Sequence, residues 1–469
     1  MNKRILESGL SLCLCLLLAL TLWAPAQAAS ASEYEAVLEA TLENLQATVT
    51  DPICDSIGGE WAVLALARGG VEDDAWNGRY LKSLFDTVDE CGGVLHTRKY
   101  TEYSRVVLAL SSLGLDAAAL NTGSQVYDLV SPLLSKQTNG EYWASWQGNN
   151  GSAFAVIALD SQNYFNNLSG RQVRAALLDS LMKEQLENGA WEISPDDGQP
   201  SIDTTAMVLQ AIAPYYLDQT KYEKLGASHT YDQLEDCVSN ALNYLKTVRS
   251  NDYGSVEAAA QVVVALAALD RDAAKDAALG NALGSVLAYY DDDGGFKHLK
   301  DGSSGNNQMS TEQACYALVA YDRWKNGKTS LYDMTDRGMA SVISVTAPGS
   351  VSVEQTASGI FRVNSSVPCI AVVQTDDGGY RCLTPEGSGN TRTFHTTRGS
   401  VTVVVKGDAN GDGVFDGSDI TKAKAAYLKK TELDEIHRLA MDIVQDESFE
   451  GNDITRAKAA YLGKTSLSW

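Results

Sequence analysis

Six stretches of the chain are apolar on nearly every face. They are EWAVLALARGG from Glu60, EYSRVVLALSSLG from Glu102, GSAFAVIALDS from Gly151, DTTAMVLQAIAPY from Asp203, EAAAQVVVALAALD from Glu257 and EQACYALVAYDR from Glu312. Such a run predicts a helix buried on most sides. Aligned on a central alanine they give Ala65, Ala109, Ala158, Ala211, Ala265 and Ala320, at intervals by subtraction of 44, 49, 53, 54 and 55 residues. Between them, segments such as RQVRAALLDSLMKEQL and QLEDCVSNALNYLKTV carry apolar residues at three-and-four spacing with polar residues opposite. That spacing predicts amphipathic helices. One buried and one half-exposed helix per repeat suffices to close an inner ring inside an outer one. The expectation is a mainly α protein in which residues 33–335 form an α/α toroid of about six helical-hairpin repeats.

The pattern then changes twice. From 340 to 406 alternating β-branched residues, as in SVISVTAPGSVSVEQ, IFRVNS and GSVTVVVKG, are separated by Gly, Asp, Asn and Pro. This predicts a small antiparallel β domain. From 407 to 469 the chain writes one unit twice: DITKAKAAYL begins at Asp419 and DITRAKAAYL at Asp453, each after an acidic stretch.

Counted from Asp408, side-chain oxygens fall at the first, third, fifth, ninth and twelfth places: Asp408, Asn410, Asp412, Asp416 and Asp419. Val414 offers a main-chain carbonyl at the seventh place and Gly413 a sharp turn at the sixth. This is the oxygen set of an EF-hand-type loop, suited to a hard cation such as calcium. The second loop begins at Asp442, an offset of 442 − 408 = 34, and keeps Asp442, Asp446, Glu450 and Asp453, with Ser448 at the carbonyl place. Val444 replaces a ligand and Glu447 the turn glycine, so two calcium sites are expected, the second weaker and its loop strained.

Charge and composition narrow the partners. The formal net charge of −23 argues against nucleic acid and anionic membranes. Lys3 and Arg4, the apolar run LSLCLCLLLALTLW and Ala26-Gln27-Ala28 read as a signal peptide over residues 1–28. No later stretch has the length of a transmembrane segment. The expected location is therefore secreted, extracellular or held at the cell surface through a scaffold. Six cysteines follow the leader; Cys54 with Cys91 and Cys369 with Cys382 are the candidate disulfides, and Cys315 reads as core.

Two resemblances sharpen this picture. QLENGAW, Gln185 to Trp191, fits the Q-x-x-x-G-x-W signature of terpene cyclase repeats, and YDDDGGF from Tyr290 is a worn copy. The body, about two-thirds of the chain, resembles the terpene cyclase and protein prenyltransferase toroid superfamily, which also includes cobalamin carriers. In SIDTTAM, Asp203 matches the middle aspartate of the squalene-cyclase acid motif, which marks it as the candidate catalytic acid. Ser201 and Thr204 replace its acidic companions, so the motif departs from the family. Asp203, Glu257 and Glu312 each lie eight residues before a reference alanine, which favours a repeated helix-capping device over a catalytic acid. The prenyltransferase zinc set is not matched. His96, His229, His298, His395 and His437 stand singly, so no zinc is expected. The ring would instead offer a cavity for a glycan, isoprenoid or corrinoid ligand, with Tyr142, Trp143, Trp146 and Phe154 as the aromatics placed to face it.

The tail from Gly407 to Leu467 resembles a type I dockerin. That resemblance implies binding to a cohesin module of a cellulosome-type scaffold, with recognition at Gly417, Ser418, Gly451 and Asn452. It implies a bacterial, scaffold-attached component whose ring binds a ligand or partner. The alternatives are a polysaccharide-degrading hydrolase or lyase, which needs two facing carboxylates, and an isoprenoid cyclase using Asp203.

Overall fold

The computed structural model describes residues 34–193, 198–301, 303, 305–339, 343–376 and 378–469. The expected leader lies outside the described residues. Helices dominate as far as Lys325: α1 (Tyr34–Thr48), α2 (Trp61–Gly69), α3 (Asp74–Glu90), α4 (Thr101–Ser112), α5 (Gly148–Ser161), α6 (Leu168–Lys183), α7 (Ile202–Tyr216), α8 (Gln219–Glu223), α9 (Tyr231–Val248), α10 (Val256–Ala268), α11 (Ala282–Leu287) and α12 (Gln308–Lys325). The protein is mainly α.

The six apolar stretches are α2, α4, α5, α7, α10 and α12. Each packs on the next and α12 returns to α2, so the six close a circuit. Their central alanines are at most 1 % exposed, because the small side chain lets neighbouring helices approach closely. Helices α1, α6, α9 and α11 pack against members of this circuit. In the position expected for an amphipathic helix between α4 and α5, the chain instead makes the hairpin β1 (Leu120–Asn121) to β2 (Val126–Tyr127) and 3-10 turns at Ser131–Leu134 and Trp143–Gln147. That segment is interrupted by Gly123, Pro132 and Gly140, which break helical continuity.

The glycine motif has a steric reason. Gly189 has φ +87°, and a Cβ there would lie 2.3 Å from the carbonyl oxygen of Asn240 in α9. In the worn copy Gly294, at φ +86°, approaches the Ala40 carbonyl of α1 in the same way, at 2.6 Å. Trp191 and Phe296 both donate their main-chain N–H to a threonine hydroxyl, Thr205 and Thr311, each at 3.0 Å. Trp191 begins β3 (Trp191–Glu192), which pairs antiparallel with β4 (Pro200–Ser201) just before α7.

Seven strands follow: β5 (Ser344–Thr346), β6 (Ser352–Ala357), β7 (Ile360–Asn364), β8 (Cys369–Gln374), β9 (Tyr380–Cys382), β10 (Thr391–His395) and β11 (Ser400–Val405). They form two sheets, ordered β5-β11-β8-β9 and β10-β7-β6. Pairing is antiparallel as expected, apart from β5 with β11, which is parallel. Phe361 and Phe394, stacked 5.3 Å apart, are fully buried in its core. Glu72 and Asp74 of the helical part pair with Arg381 and Arg398 of the strands.

The expected disulfides are not formed: all six described cysteines are free thiols. Cys382 pairs in register with Val372, three positions from Cys369. Facing residues share a sheet face and successive ones alternate, so the two thiols point to opposite faces. The Cys91 thiol lies against the Val88 carbonyl, while the Cys54 thiol is buried beside Glu60, which pushes its pKa up.

The tail adds α13 (Gly417–Tyr427), α14 (Glu435–Ala440) and α15 (Gly451–Tyr461), packed around Ala423, Met441 and Ala457. Among the described residues, no helix is long and apolar enough to cross a membrane.

Candidate functional site

The two tail loops share one backbone. Gly411 and Gly413 have φ of +81° and +82°; their counterparts 34 residues on, Gln445 and Glu447, have +61° and +65°. The left-handed turn expected at Glu447 is therefore kept by a side chain that disfavours it, and Gln445 is a second such position. In the first loop Asp408 accepts from the Gly411 and Gly413 N–H groups at 2.7 and 2.8 Å. Asp442 accepts from Asp446 and Glu447 at 3.1 and 2.9 Å. Asp419 accepts from the N–H groups of Ala409, Asn410 and Asp416; Asp453 does so from Ile443, Val444 and Glu450. Asp416 and Glu450 are the N-caps of α13 and α15, each in a reciprocal capping box.

Burial, helped by the charge of Asp408, raises the Asp419 pKa despite these three donors. In the second loop, carboxylate oxygens of Asp442, Asp446 and Asp453 all lie within 4.8 Å of one another. Three acids so close repel unless a cation lies between them, and an all-oxygen set fits a hard one. Asn410 in the first loop is engaged within the loop: its carbonyl accepts from the Asp412 N–H at 2.9 Å, and its amide donates to the Asp412 carboxylate and the Ser418 hydroxyl at 2.9 and 2.7 Å.

The four expected recognition residues sit at the starts of α13 and α15. Gly417 faces the hydroxyl of Tyr461, and Gly451 faces Tyr427, which is the same contact made reciprocally. Ser418 accepts from Asn410, and the Asn452 amide donates to Asp446 at 3.3 Å. Tyr427, Leu428, Tyr461 and Leu462 are about half exposed, which leaves two matching apolar patches.

In the helical body the three acids are not the N-caps, although Asp203 and Glu257 do lie in the first turns of α7 and α10. The N-caps are Ser201, Ser255 and Asn307, whose side chains accept from Thr204, Ala258 and Ser310 N–H groups. A short hydroxyl or amide reaches the third N–H of the helix, which leaves the acids free to face neighbouring helices. Glu257 accepts from Ser310 Oγ at 2.5 Å and lies 2.7 Å from His298 Nδ1. Asp203 lies beside this group; burial first, then the Glu257 charge, push its pKa up to about 6, with His298 opposing. One Asp203 carboxylate oxygen is enclosed without a hydrogen-bond partner among the described residues. Glu312 is fully buried, accepts from Gly58 N–H and Gln308, both at 2.8 Å, and is pushed by burial to about 7. α12 begins at Gln308, so Glu312 sits a full turn inside its helix.

A polar axis that the sequence reading missed continues inward from Asp203. Gln210 Nε2 donates to Gln261 Oε1 at 2.9 Å, and Gln261 Nε2 donates to Gln313 at 3.0 Å and to the Tyr316 hydroxyl. The available signal was an amide inside otherwise apolar runs, VLQAIA and AAAQVVVALA. The expected aromatic group divides: Phe154 is buried against Trp61 and Tyr332, while the half-buried Trp143 stacks on the half-buried Tyr100. Trp146 lies under Arg98 and Tyr142 under Lys136.

Compared with known proteins, the chain matches no family model and no curated sequence.

Proposed function

We propose that the chain is a secreted, scaffold-attached bacterial component whose last sixty or so residues are a dockerin and whose body is an α/α toroid used to bind a ligand or partner. The observation that carries the docking part is the duplicated loop backbone at a 34-residue offset, with two positive-φ positions in each copy and reciprocal Tyr–Gly contacts between the following helices. Asp408, Asn410, Asp412, Asp416, Asp419 and the Val414 carbonyl would hold one calcium ion, and Asp442, Asp446, Glu450, Asp453 and the Ser448 carbonyl a second, whose charge would offset the repulsion among these acids. The chain's own residues do the rest: Asp419 and Asp453 tie each loop to its helix start, and the paired apolar patches face a cohesin module. The test is retention of the full chain on immobilised cohesins with calcium and after EGTA. Retention only with calcium supports the reading; a tail that stays equally folded in EGTA, or binds no cohesin of a broad panel, rejects it.

A second reading, glycan hydrolysis or lysis, is favoured by one specific observation: Asp203 is buried within reach of the Glu257 charge, and neither acid is the N-cap of its own helix. A carboxyl whose pKa is pushed up to about 6, as at Asp203, can protonate a leaving glycosidic oxygen. Loss of polysaccharide cleavage in Asp203→Asn and in Glu257→Gln supports this second reading; absence of cleavage by the wild type across plant polysaccharides excludes it.

A further inference from the structure

The ends of α5 and α7, the first turns of α6 and the short helix α8 border a surface cleft of about 450 Å³. Its charge reverses the balance of the chain. Over the whole sequence 37 Lys and Arg stand against 60 Asp and Glu, whereas Arg171, Arg174, Lys221 and Lys224 line the cleft against only Asp160 and Asp218.

Both acids are already engaged. Asp160 is held by Arg174 at 2.6 Å, by the Tyr215 hydroxyl at 3.0 Å and by Lys221 at 3.5 Å. Asp218 caps α8, accepting from the Lys221 N–H at 2.9 Å. The buried Arg174 also donates to the Leu159 and Tyr164 carbonyls at 2.6 and 2.9 Å, which offsets the negative end of α5 beneath the cleft.

The other three cations are open to solvent. Arg171 is half-buried and Lys224 exposed, and neither side chain makes a hydrogen bond or ion pair among the described residues. Lys221 keeps 37 % of its side chain exposed. Cations gathered at one concave surface repel unless an anion lies between them, and concavity focuses their field. The planar fork of Arg171 matches the oxygens of a carboxylate or phosphate. Asn163 and Asn166, exposed at the same cleft, supply amides that pair with hydroxyl groups.

We infer that this cleft binds a small hydroxylated molecule carrying one oxyanion group, a carboxylate or a phosphate, with the anion between Arg171, Lys221 and Lys224 and hydroxyls on Asn163 and Asn166. This rests on the reading of the ring as a ligand-binding body, which it deepens by naming the charge of the ligand. It uses neither the acids at the starts of α7 and α10 nor the tail. The experiment is calorimetric titration of the full chain with D-galacturonate and D-glucose 6-phosphate, with D-galactose and D-glucose as neutral counterparts. Arg171→Gln and Lys224→Glu are the variants.

Saturable binding of at least one anionic probe, at least about tenfold tighter than its neutral counterpart, is expected. Which of the two binds separates a carboxylate ligand from a phosphate one. Each variant should weaken that binding about tenfold and leave the melting temperature unchanged, because neither side chain has a partner to lose. Raising the salt from about 0.01 M to about 1 M, which shortens the screening length from about 30 Å to about 3 Å, should weaken it as well. Absence of saturable binding by both anions at low salt overturns the inference, and so does anion binding that both variants leave unchanged. Neutral sugars that bind as tightly as the anions, equally in wild type and variants, overturn it too but leave the ring a ligand-binding body.

Discussion

Asp203 and Glu312 show how a single carboxyl reports its surroundings. Both have pKa values raised above the ordinary range by burial, to about 6 and about 7. The protonated form is thus favoured in the folded state, and the stability it contributes is complete below about pH 4, the ordinary carboxylate range. That contribution is lost as pH rises through 6 for Asp203 and 7 for Glu312. Asp203→Asn, which keeps the neutral shape, should match wild type at pH 4 and be more stable by ~1–3 kcal/mol at pH 8. Thermal melts of the two proteins at both pH values check this. At Gln445 and Glu447 the constraint is steric, since a Cβ disfavours the left-handed region. Each change to glycine should stabilise the second loop by up to about 1 kcal/mol, read by calcium titration or chelator-dependent melting.

Elements extend the same reasoning to shared surfaces. Helix α10 is buried along most of its length between α7 and α12, and Ala265 is nearly inaccessible. Ala265→Leu adds volume where close approach left none and should destabilise by about 1–3 kcal/mol. At Gly189 the obstacle is backbone and not a flexible side chain: Gly189→Ala meets the Asn240 carbonyl and a positive φ together. It should cost more than about 1 kcal/mol, and more than any exposed glycine change. Denaturant midpoints of these variants test both. The tail helices α13 and α15 offer a control, because their Tyr–Gly contacts involve the ends of half-exposed side chains that can move aside.

Across the whole molecule, three cores differ in size. The helical circuit and the strands are held by apolar packing, with Glu72 and Asp74 bridging them to Arg381 and Arg398. The tail has a core of few residues, Ala409, Ala423, Met441, Ile443 and Ala457, below two acid-rich loops. So small a core rarely suffices alone. EGTA should therefore lower the melting transition of the tail while leaving that of the ring unmoved, a split visible by calorimetry. A single transition that shifts as one would show that the tail and body unfold together.

How much of this was legible follows from range along the chain. The periodicity of the six apolar helices, their central alanines, the strand alternation and the 34-residue offset of the two loops are local patterns, and each is found at the residues that carry it. The pairing of Cys369 with Cys382 failed because spacing does not reveal which face of a sheet a side chain takes. The capping of Asp203, Glu257 and Glu312 failed for a related reason: a residue's place near a helix start does not say which neighbour it faces. Glu257 meets His298 and Ser310 across 41 and 53 residues, and Gln210 meets Gln261 across 51. The sequence alone thus determined the six apolar helices, the strand-rich segment and the duplicated acidic loops, because those depend on neighbours a few residues away. Only the tertiary structure decided which acids lose solvent, which polar atoms are left without partners and where a cavity opens, because each depends on segments that meet only after the chain has folded.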